Sequence, residues 1–238
     1  RSIPPVRFVV YAQNHDQIGN RMMGERLTHL VSLEAYKLAS SVVLLSPFIP
    51  MLFMGDEYGE TAPFRYFISH SDPTLVDAVR QGRKWEFARF QWKGEPPDPQ
   101  DEKTYESSKL NHCLKKEYKH QTLLAFHKEL LGLRRSLPAL RSLSKDKMDV
   151  ASFEEERILS VRRWNGSNEV LAIFNFSDRP CAEFRSIPCG GWHKRFDSAD
   201  TCWMGAGTSA PVRLEAPAAG LTLQPHSTLL FEKETEDK

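Results

Sequence analysis

Residues 6–21, Val-Arg-Phe-Val-Val-Tyr-Ala-Gln-Asn-His-Asp-Gln-Ile-Gly-Asn-Arg, decide the fold. The first half is rich in β-branched and aromatic residues, which predicts a buried strand over 6–13. The second half is a dense run of polar residues. A strand that ends in polar residues is typical of parallel α/β folds, in which the carboxyl ends of the strands line the ligand site.

The residues that follow support a parallel sheet. Ser32–Leu45 has the composition of a mostly buried helix, and prolines 47 and 50 interrupt it because proline cannot continue a helix. Met51–Met54 is a short apolar run that predicts a second strand, closed by Gly55. The order strand, helix, strand indicates a parallel α/β arrangement. Further helices are predicted over 75–90 and 121–135.

After residue 149 the pattern changes. Ile158–Trp164 and Val170–Phe176 read as two strands, and Asn165-Gly166-Ser167-Asn168 between them predicts a hairpin turn. Several more short apolar runs follow, separated by Gly, Pro and Ser. This spacing predicts an antiparallel sandwich. The Lys-, Asp- and Ser-rich residues 144–149 mark the boundary, so we expect one domain over 1–143 and another over 149–238.

Composition excludes several classes of protein. The 238 residues include 32 Lys and Arg against 31 Asp and Glu, a formal net charge of +1. Nucleic-acid-binding proteins usually carry a basic excess, so no nucleic-acid partner is expected. No stretch long enough to cross a bilayer is free of charge, which argues against membrane association. The four cysteines are irregularly spaced and no signal-peptide pattern is seen, so we expect reduced thiols and a cytoplasmic protein.

Three clusters could carry chemistry. The first combines side chains that can hydrogen-bond sugar hydroxyls or an anion, namely Asn14, His15, Asp16, Gln17 and Arg21, and its alternative is a solvated loop. The second, residues 55–60, is acidic, and we interpret it as structural. The third, residues 63–67, is aromatic, and aromatic rings stack on the apolar faces of sugars, although such a loop also packs internally. No phosphate loop, zinc-protease motif or nucleophile elbow is present, so neither a cofactor nor a metal is implied.

The first cluster resembles a known family. Gln-Asn-His-Asp-Gln-Ile-Gly-Asn-Arg at 13–21 resembles the Asn-His-Asp motif at the end of barrel strand seven in the α-amylase superfamily, glycoside hydrolase family 13. Within that superfamily, the extension through Gly24 and Arg26 is similar to the maltooligosyltrehalose trehalohydrolases. Segments of the chain at 52–59, 63–70, 82–87, 97–101 and 108–110 resemble the same enzymes in the same order. The resemblance covers residues 6–140.

The resemblance implies a fold class of α/β plus all-β. It places residues 1–143 in the C-terminal part of a (β/α)8 TIM barrel, the last two βα units, and residues 149–238 in an antiparallel β-sandwich. A whole barrel needs eight units and about 250 residues. We therefore expect the chain to be the C-terminal piece of a longer enzyme, or one part of a gapped chain, completed by the remainder of the barrel.

The resemblance also implies an activity. These enzymes are retaining hydrolases that cleave the α-1,4 bond next to the terminal trehalose of maltooligosyltrehalose and release trehalose, which requires a nucleophile and a general acid. Asp16 matches the third carboxylate, which stabilises the transition state, and His15 lies beside it. The expected substrate contacts are Asn14, Gln17, Asn20, Arg21, Phe64 and Tyr66.

The sequence departs from the family pattern at the two residues that break the bond. In the family the nucleophile and general acid lie upstream of the Asn-His-Asp, which here begins at residue 14. Asp56 and Glu57 are adjacent, and adjacent residues on a strand point to opposite faces, so we do not expect them to replace the pair. Two alternatives remain: a non-catalytic carbohydrate-binding or regulatory module, or another amylase-type enzyme acting on α-glucan oligosaccharides.

Overall fold

The computed structural model describes residues 3–90, 92, 94–208, 210–217 and 220–234. Its described residues form two compact units. One comprises 1–12, 32–51 and 121–238 and is called the sheet unit; the other comprises 13–31 and 52–120 and is called the loop unit. The expected boundary at 144–149 lies within the sheet unit. The two units are groups of residues in mutual contact, which does not decide where one domain ends and the next begins. The domains 1–143 and 149–238 therefore stay a prediction.

The helices and strands alternate only in the first third of the chain. The α-helices are α1 His15–Gly19, α2 Leu27–Leu30, α3 Leu33–Leu45, α4 Pro73–Arg89, α5 Glu102–Glu106, α6 Tyr118–Ser136 and α7 Pro138–Arg141. The strands are β1 Val9–Val10, β2 Ile49–Pro50, β3 Met148–Phe153, β4 Ile158–Asn165, β5 Asn168–Asn175, β6 Cys181–Phe184, β7 Gly190–Asp197, β8 Arg213–Ala216, β9 Leu221–Leu223 and β10 Ser227–Lys233. Short 3-10 turns lie at 5–7, 56–58, 112–116 and 201–203.

The first two strands pair in parallel, as the sequence predicts, but the second lies earlier than expected. The backbone N–H groups of Ile49 and Met51 donate to the carbonyls of Phe8 and Val10 at 3.0 and 2.9 Å. Pro50 lies opposite Val10 between these two donors, so its missing N–H costs the ladder no bond. The predicted strand over 51–54 is therefore wrong. The strand predicted over 6–13 is also reduced, to residues 9–10.

The remaining strands are antiparallel. Six form one sheet in the order β3-β4-β5-β10-β7-β8, and β6 pairs with β9. The predicted hairpin is confirmed: Asn165 lies opposite Asn168, and Gly166 takes a φ of +62° in the turn, a conformation that glycine adopts without strain. Buried side chains from both sheets share one hydrophobic core, including Leu171, Phe184, Trp192, Leu221, Leu223 and Phe231.

Two arginines fix the end of α3, from which the chain enters β2. The buried guanidinium of Arg163 donates to the carbonyls of Leu45, Leu140 and Ser142 at 2.7, 3.1 and 2.7 Å. Arg134 donates to the carbonyls of Leu44 and Ser46 at 2.7 and 2.6 Å, and also to that of Phe48. Burial, with a smaller contribution from the neighbouring charge of Arg134, lowers the pKa of Arg163 to about 10. Arg163 is therefore charged at neutral pH and satisfies three carbonyls at once.

Among the helices in the described residues, none has the length and apolar character needed to cross a membrane.

Candidate functional site

The polar run after β1 folds into the one-turn helix α1. Asn14 precedes the helix, and its side-chain oxygen accepts hydrogen bonds from the backbone N–H groups of Asp16 and Gln17 at 2.8 and 3.4 Å. The Gln17 side chain reaches back and accepts from the N–H of Asn14 at 3.0 Å. This reciprocal cap satisfies donors that a helix start leaves unpaired. Two expected substrate contacts, Asn14 and Gln17, thus also hold the turn.

The cap leaves the next two side chains facing solvent. The side chains of His15 and Asp16 are 67% and 68% exposed, and His15 Nε2 lies 3.2 Å from Asp16 Oδ1. Both stand in the first turn of α1, whose backbone is fixed by the cap. A carboxylate and an imidazole held side by side on a fixed turn can both hydrogen-bond hydroxyl groups of one ligand.

Gln13 anchors this turn from beneath. Its side-chain N–H donates to Asp56 Oδ1 at 2.6 Å, and its carbonyl oxygen accepts from the N–H of Leu27 at 2.8 Å. The other Asp56 oxygen accepts from the N–H of Phe53 at 2.9 Å. Burial raises the pKa of Asp56 to about 6, against the opposing effect of these hydrogen bonds and of Arg26. Asp56 therefore has a structural role in the interior of the protein.

Glu60 is the second buried carboxylate of the acidic cluster. It accepts hydrogen bonds from the hydroxyl of Tyr58 and from the backbone N–H groups of Thr61, Ala62 and Asn111, all at 2.7–2.8 Å. Burial is the largest single influence and would raise the pKa of Glu60, but these bonds together lower it below the ordinary value. Both buried carboxylates organise loops, which agrees with the structural interpretation of residues 55–60.

The three rings of the aromatic segment differ in exposure: Phe64 and Phe67 are half-buried and Tyr66 is exposed. Phe64 packs on Phe53 and Phe67, with ring centroids 5.2 and 5.8 Å apart. Tyr66 is 42% exposed. Gly24 sets the position of the segment: its φ is +68°, its carbonyl accepts from the N–H of Phe64, and a Cβ there would lie 2.6 Å from the Phe64 backbone. Of the two expected substrate contacts, Tyr66 is therefore the more exposed.

The last two candidates lie just beyond α1. Arg21 Nε lies 3.2 Å from Glu25 Oε2, and its guanidinium stands 5.6 Å from the ring centre of Trp92. Asn20 Oδ1 accepts a hydrogen bond from Arg83 Nη1 at 3.1 Å. The guanidinium of Arg83 also lies 4.7 Å from the ring centre of Tyr66. The structure thus brings Asn20 and Tyr66 together around one side chain.

Sequence reasoning assigned no role to Gln13 or Arg83. Gln13 could have been found, because it is the first residue of the polar run 13–21 and ends the predicted strand. Arg83 lies 63 residues beyond its hydrogen-bond partner Asn20. No local spacing in the sequence connects the two. In the described part of the chain, no group of three or more His, Cys, Asp or Glu side chains is arranged to hold a metal ion.

Comparison with known proteins gives a consistent result. No model of a known protein family matches the chain. The chain is 42% identical over 180 residues to malto-oligosyltrehalose trehalohydrolase of Rhizobium sp. strain M-11, which covers 75% of this chain and 30% of that protein. It is 47% identical over 129 residues to the protein of the same name from Saccharolobus solfataricus, covering 54% of this chain and 21% of that protein. The chain thus spans less than a third of the length of these relatives.

Solved structures agree on the fold. A crystal structure assigned as an α-amylase of Salmonella typhimurium matches 97% of this chain and 36% of its own, with a TM-score of 0.77 and 31% identity. An α-amylase of H. orenii matches 95% of this chain and 40% of its own, with a TM-score of 0.57 and 18% identity, which shows a shared fold alone. The chain is thus similar to the C-terminal portion of malto-oligosyltrehalose trehalohydrolases, and solved structures of α-amylases resemble it in fold.

Proposed function

We propose that the chain is the C-terminal part of a retaining glycoside hydrolase that cleaves the α-1,4 bond next to the terminal trehalose of maltooligosyltrehalose and releases trehalose. The observation that carries this proposal is the identity of 36–47% to proteins that all bear the trehalohydrolase name. The exposed His15–Asp16 pair on a fixed turn supports it, because hydrolysis of a sugar bond needs a carboxylate that can reach the sugar.

The proposal includes a fold at finer detail. Residues 1–143 form the last two βα units of a (β/α)8 barrel, and residues 149–238 form a β-sandwich. The parallel pairing of β1 with β2 supports the first assignment, since barrel strands are parallel. The core shared by the six-stranded sheet and the β6–β9 pair supports the second. The remainder of the barrel, which supplies the nucleophile and general acid, belongs to the part of the relatives that this chain does not match.

Each site residue then has a role. Asp16 stabilises the positively charged, oxocarbenium-like transition state through its carboxylate, and His15 hydrogen-bonds a hydroxyl of the same sugar. Asn14 contacts the substrate, and Gln17, Asn20 and Arg21 contact its trehalose side or support the site. Phe64 and Tyr66 shape the pocket that receives the substrate. The four cysteines are free, and three of them are exposed, which supports a reducing, cytoplasmic location for the enzyme.

The test uses the full-length protein that contains this chain. It is incubated with trehalose-capped maltooligosaccharide and with plain maltooligosaccharide of equal length, and released trehalose and glucan are quantified. We expect release of trehalose and a clear preference for the capped substrate. Preference for the plain substrate would instead indicate another amylase-type enzyme, and binding without turnover would indicate a carbohydrate-binding module.

The isolated 238-residue chain provides the control. We expect no release of trehalose from it, because the bond-breaking pair lies in the rest of the enzyme. If the isolated chain released trehalose and a Glu57→Gln substitution abolished that release, the chain would carry its own catalytic carboxylate and this part of the proposal would be wrong.

A further inference from the structure

Arg83 is a nearly buried arginine in α4 that contacts two separate segments of the candidate site. Its side chain is only 12% exposed. The guanidinium lies over two aromatic rings, 4.7 Å from the ring centre of Tyr66 and 4.5 Å from that of Phe87. A planar cation in contact with the face of a ring is a favourable arrangement that also restricts the movement of the ring.

The same guanidinium binds the end of α1. Arg83 Nη2 donates to the carbonyl of Gly19 at 2.7 Å, and Nη1 donates to Asn20 Oδ1 at 3.1 Å. Glu86 Oε2 accepts from Nη1 at 3.0 Å and compensates the positive charge. The hydrogen bonds to Gly19 and Asn20 and the stacking on Tyr66 therefore all depend on one rigid, planar group.

The other end of α1 is held independently. The reciprocal cap of Asn14 and Gln17 and the contact of Gln13 with Asp56 fix the turn that carries His15 and Asp16. Loss of Arg83 would thus release Asn20 and Tyr66 and leave the His15–Asp16 pair in place.

We propose that Arg83 is a positioning residue that sets the placement of Asn20 relative to Tyr66 and so governs substrate binding rather than bond cleavage. The inference rests on the proposed function, because Asn20 and Tyr66 are substrate contacts only under it. Lysine cannot perform this role, since an ammonium group lacks both the fork that reaches two acceptors and the plane that stacks on a ring.

The experiment compares Arg83→Met and Arg83→Lys in the full-length enzyme with Arg80→Met as a matched control. Arg80 lies one turn earlier on α4, and its guanidinium pairs with Asp77 and Asp98 at 3.0 and 2.8 Å. Within the described part of the chain, its guanidinium makes no hydrogen bond or ion pair with α1 or with the aromatic segment 63–67. The measured quantities are KM and kcat for trehalose-capped maltooligosaccharide.

For both Arg83 variants we expect KM to rise about tenfold or more while kcat stays within about threefold, because an interaction made equally in ground and transition states is lost. Arg80→Met should retain the wild-type KM. A purely structural role would reduce the fraction of active enzyme, which lowers kcat and leaves KM unchanged. That result, or recovery of the wild-type KM by Arg83→Lys, would overturn the inference.

A second readout separates this inference from the proposed function. If the wild-type enzyme released no trehalose, the proposed function would fail, and crystal structures of the wild-type and Arg83→Met proteins would still test the positioning. Displacement of the Asn20 side chain and the Tyr66 ring by about 1 Å or more supports it, and unchanged positions contradict it.

Discussion

Among the described residues, the side chain of Asp16 makes no structural contact other than that with His15. Its side chain is 68% exposed, and the cap of α1 uses its backbone N–H, not its carboxylate. Substitution by asparagine keeps the size and the backbone bond and removes the charge. The effect of that substitution can therefore be assigned to the chemistry of the site.

Under the proposed function, we expect Asp16→Asn in the full-length protein to lower turnover by roughly 100- to 1,000-fold, about 2.7–4 kcal/mol, by analogy with loss of one charge-stabilising group from a preorganised site. Thermal unfolding should match that of the wild type. Asp77→Asn, at a side chain that is 73% exposed, is the control and should retain activity. A near-wild-type rate for Asp16→Asn would remove Asp16 from the site.

Asp56 makes a different prediction, on stability. Its pKa is raised to about 6 in the folded protein against an ordinary 3.8, so folding favours its protonated form. This contribution to stability is complete below about pH 3.8 and is lost as the pH rises through about 6, a change on the order of 3 kcal/mol. Measured between pH 4 and 7, the unfolding free energy of the wild type should fall relative to that of Asp56→Asn. A difference independent of pH would contradict the assignment.

At the scale of helices and strands, sequence patterns located the elements that depend on local contacts. The hairpin at 165–168 and the helices α3, α4 and α6 follow from turn residues, caps and apolar periodicity, and their ends agree within three residues. The second strand was predicted from the apolar run at 51–54, but the strand lies at 49–50. Pro50 is tolerated there because it occupies a position that needs no N–H for the ladder.

The candidate site was predictable in its residue types and not in its connections. The dense polar run at 13–21 and the aromatic run at 63–67 stand out in the sequence. The bonds from Gln13 to Asp56 and from Arg83 to Asn20 join residues 43 and 63 positions apart. Such contacts depend on how the loops fold against one another, and the periodicity of the sequence does not indicate them.

The placement of the aromatic segment by Gly24 can be tested directly. Alanine at this position would require both a left-handed backbone and a Cβ 2.6 Å from the Phe64 backbone, so we expect Gly24→Ala to cost about 1–3 kcal/mol of stability. Gly82→Ala in α4 is the control, because nothing lies within 4 Å of a Cβ there, and it should stabilise by roughly 0.5–1 kcal/mol. Equal effects in denaturant unfolding would contradict this.

At the scale of the whole molecule, the sheet unit depends on buried cations that bind carbonyls. Lys37 is buried, and its ammonium group donates to the carbonyls of Ser198 and Trp203 at 2.8 and 2.9 Å. Burial lowers the pKa of Lys37, against the smaller opposing effect of nearby acidic groups. With Arg163 and Arg134, it joins segments more than 80 residues apart in sequence.

Arg163→Met should therefore destabilise the sheet unit strongly. Three carbonyls would lose their donor, and we expect a cost on the order of 3 kcal/mol. The neighbouring Arg162 forms a partly exposed ion pair with Glu169 at 2.6 Å, so Arg162→Met should cost less than about 1 kcal/mol. Urea unfolding of the two variants measures the difference in stability. Similar midpoints would show that Arg163 contributes no more to stability than Arg162.

The order of the six-stranded sheet has a consequence for solubility. Strand β3 lies at one edge, with its four central residues exposed, and the turn that follows it carries three consecutive acids, Glu154–Glu156. An open strand edge is a template for pairing with another molecule, and a block of like charge beside it repels a second copy that approaches edge to edge. We therefore expect these acids to oppose self-association, and exchange of all three for glutamine should increase aggregation, measured by light scattering, of a protein that is otherwise correctly folded.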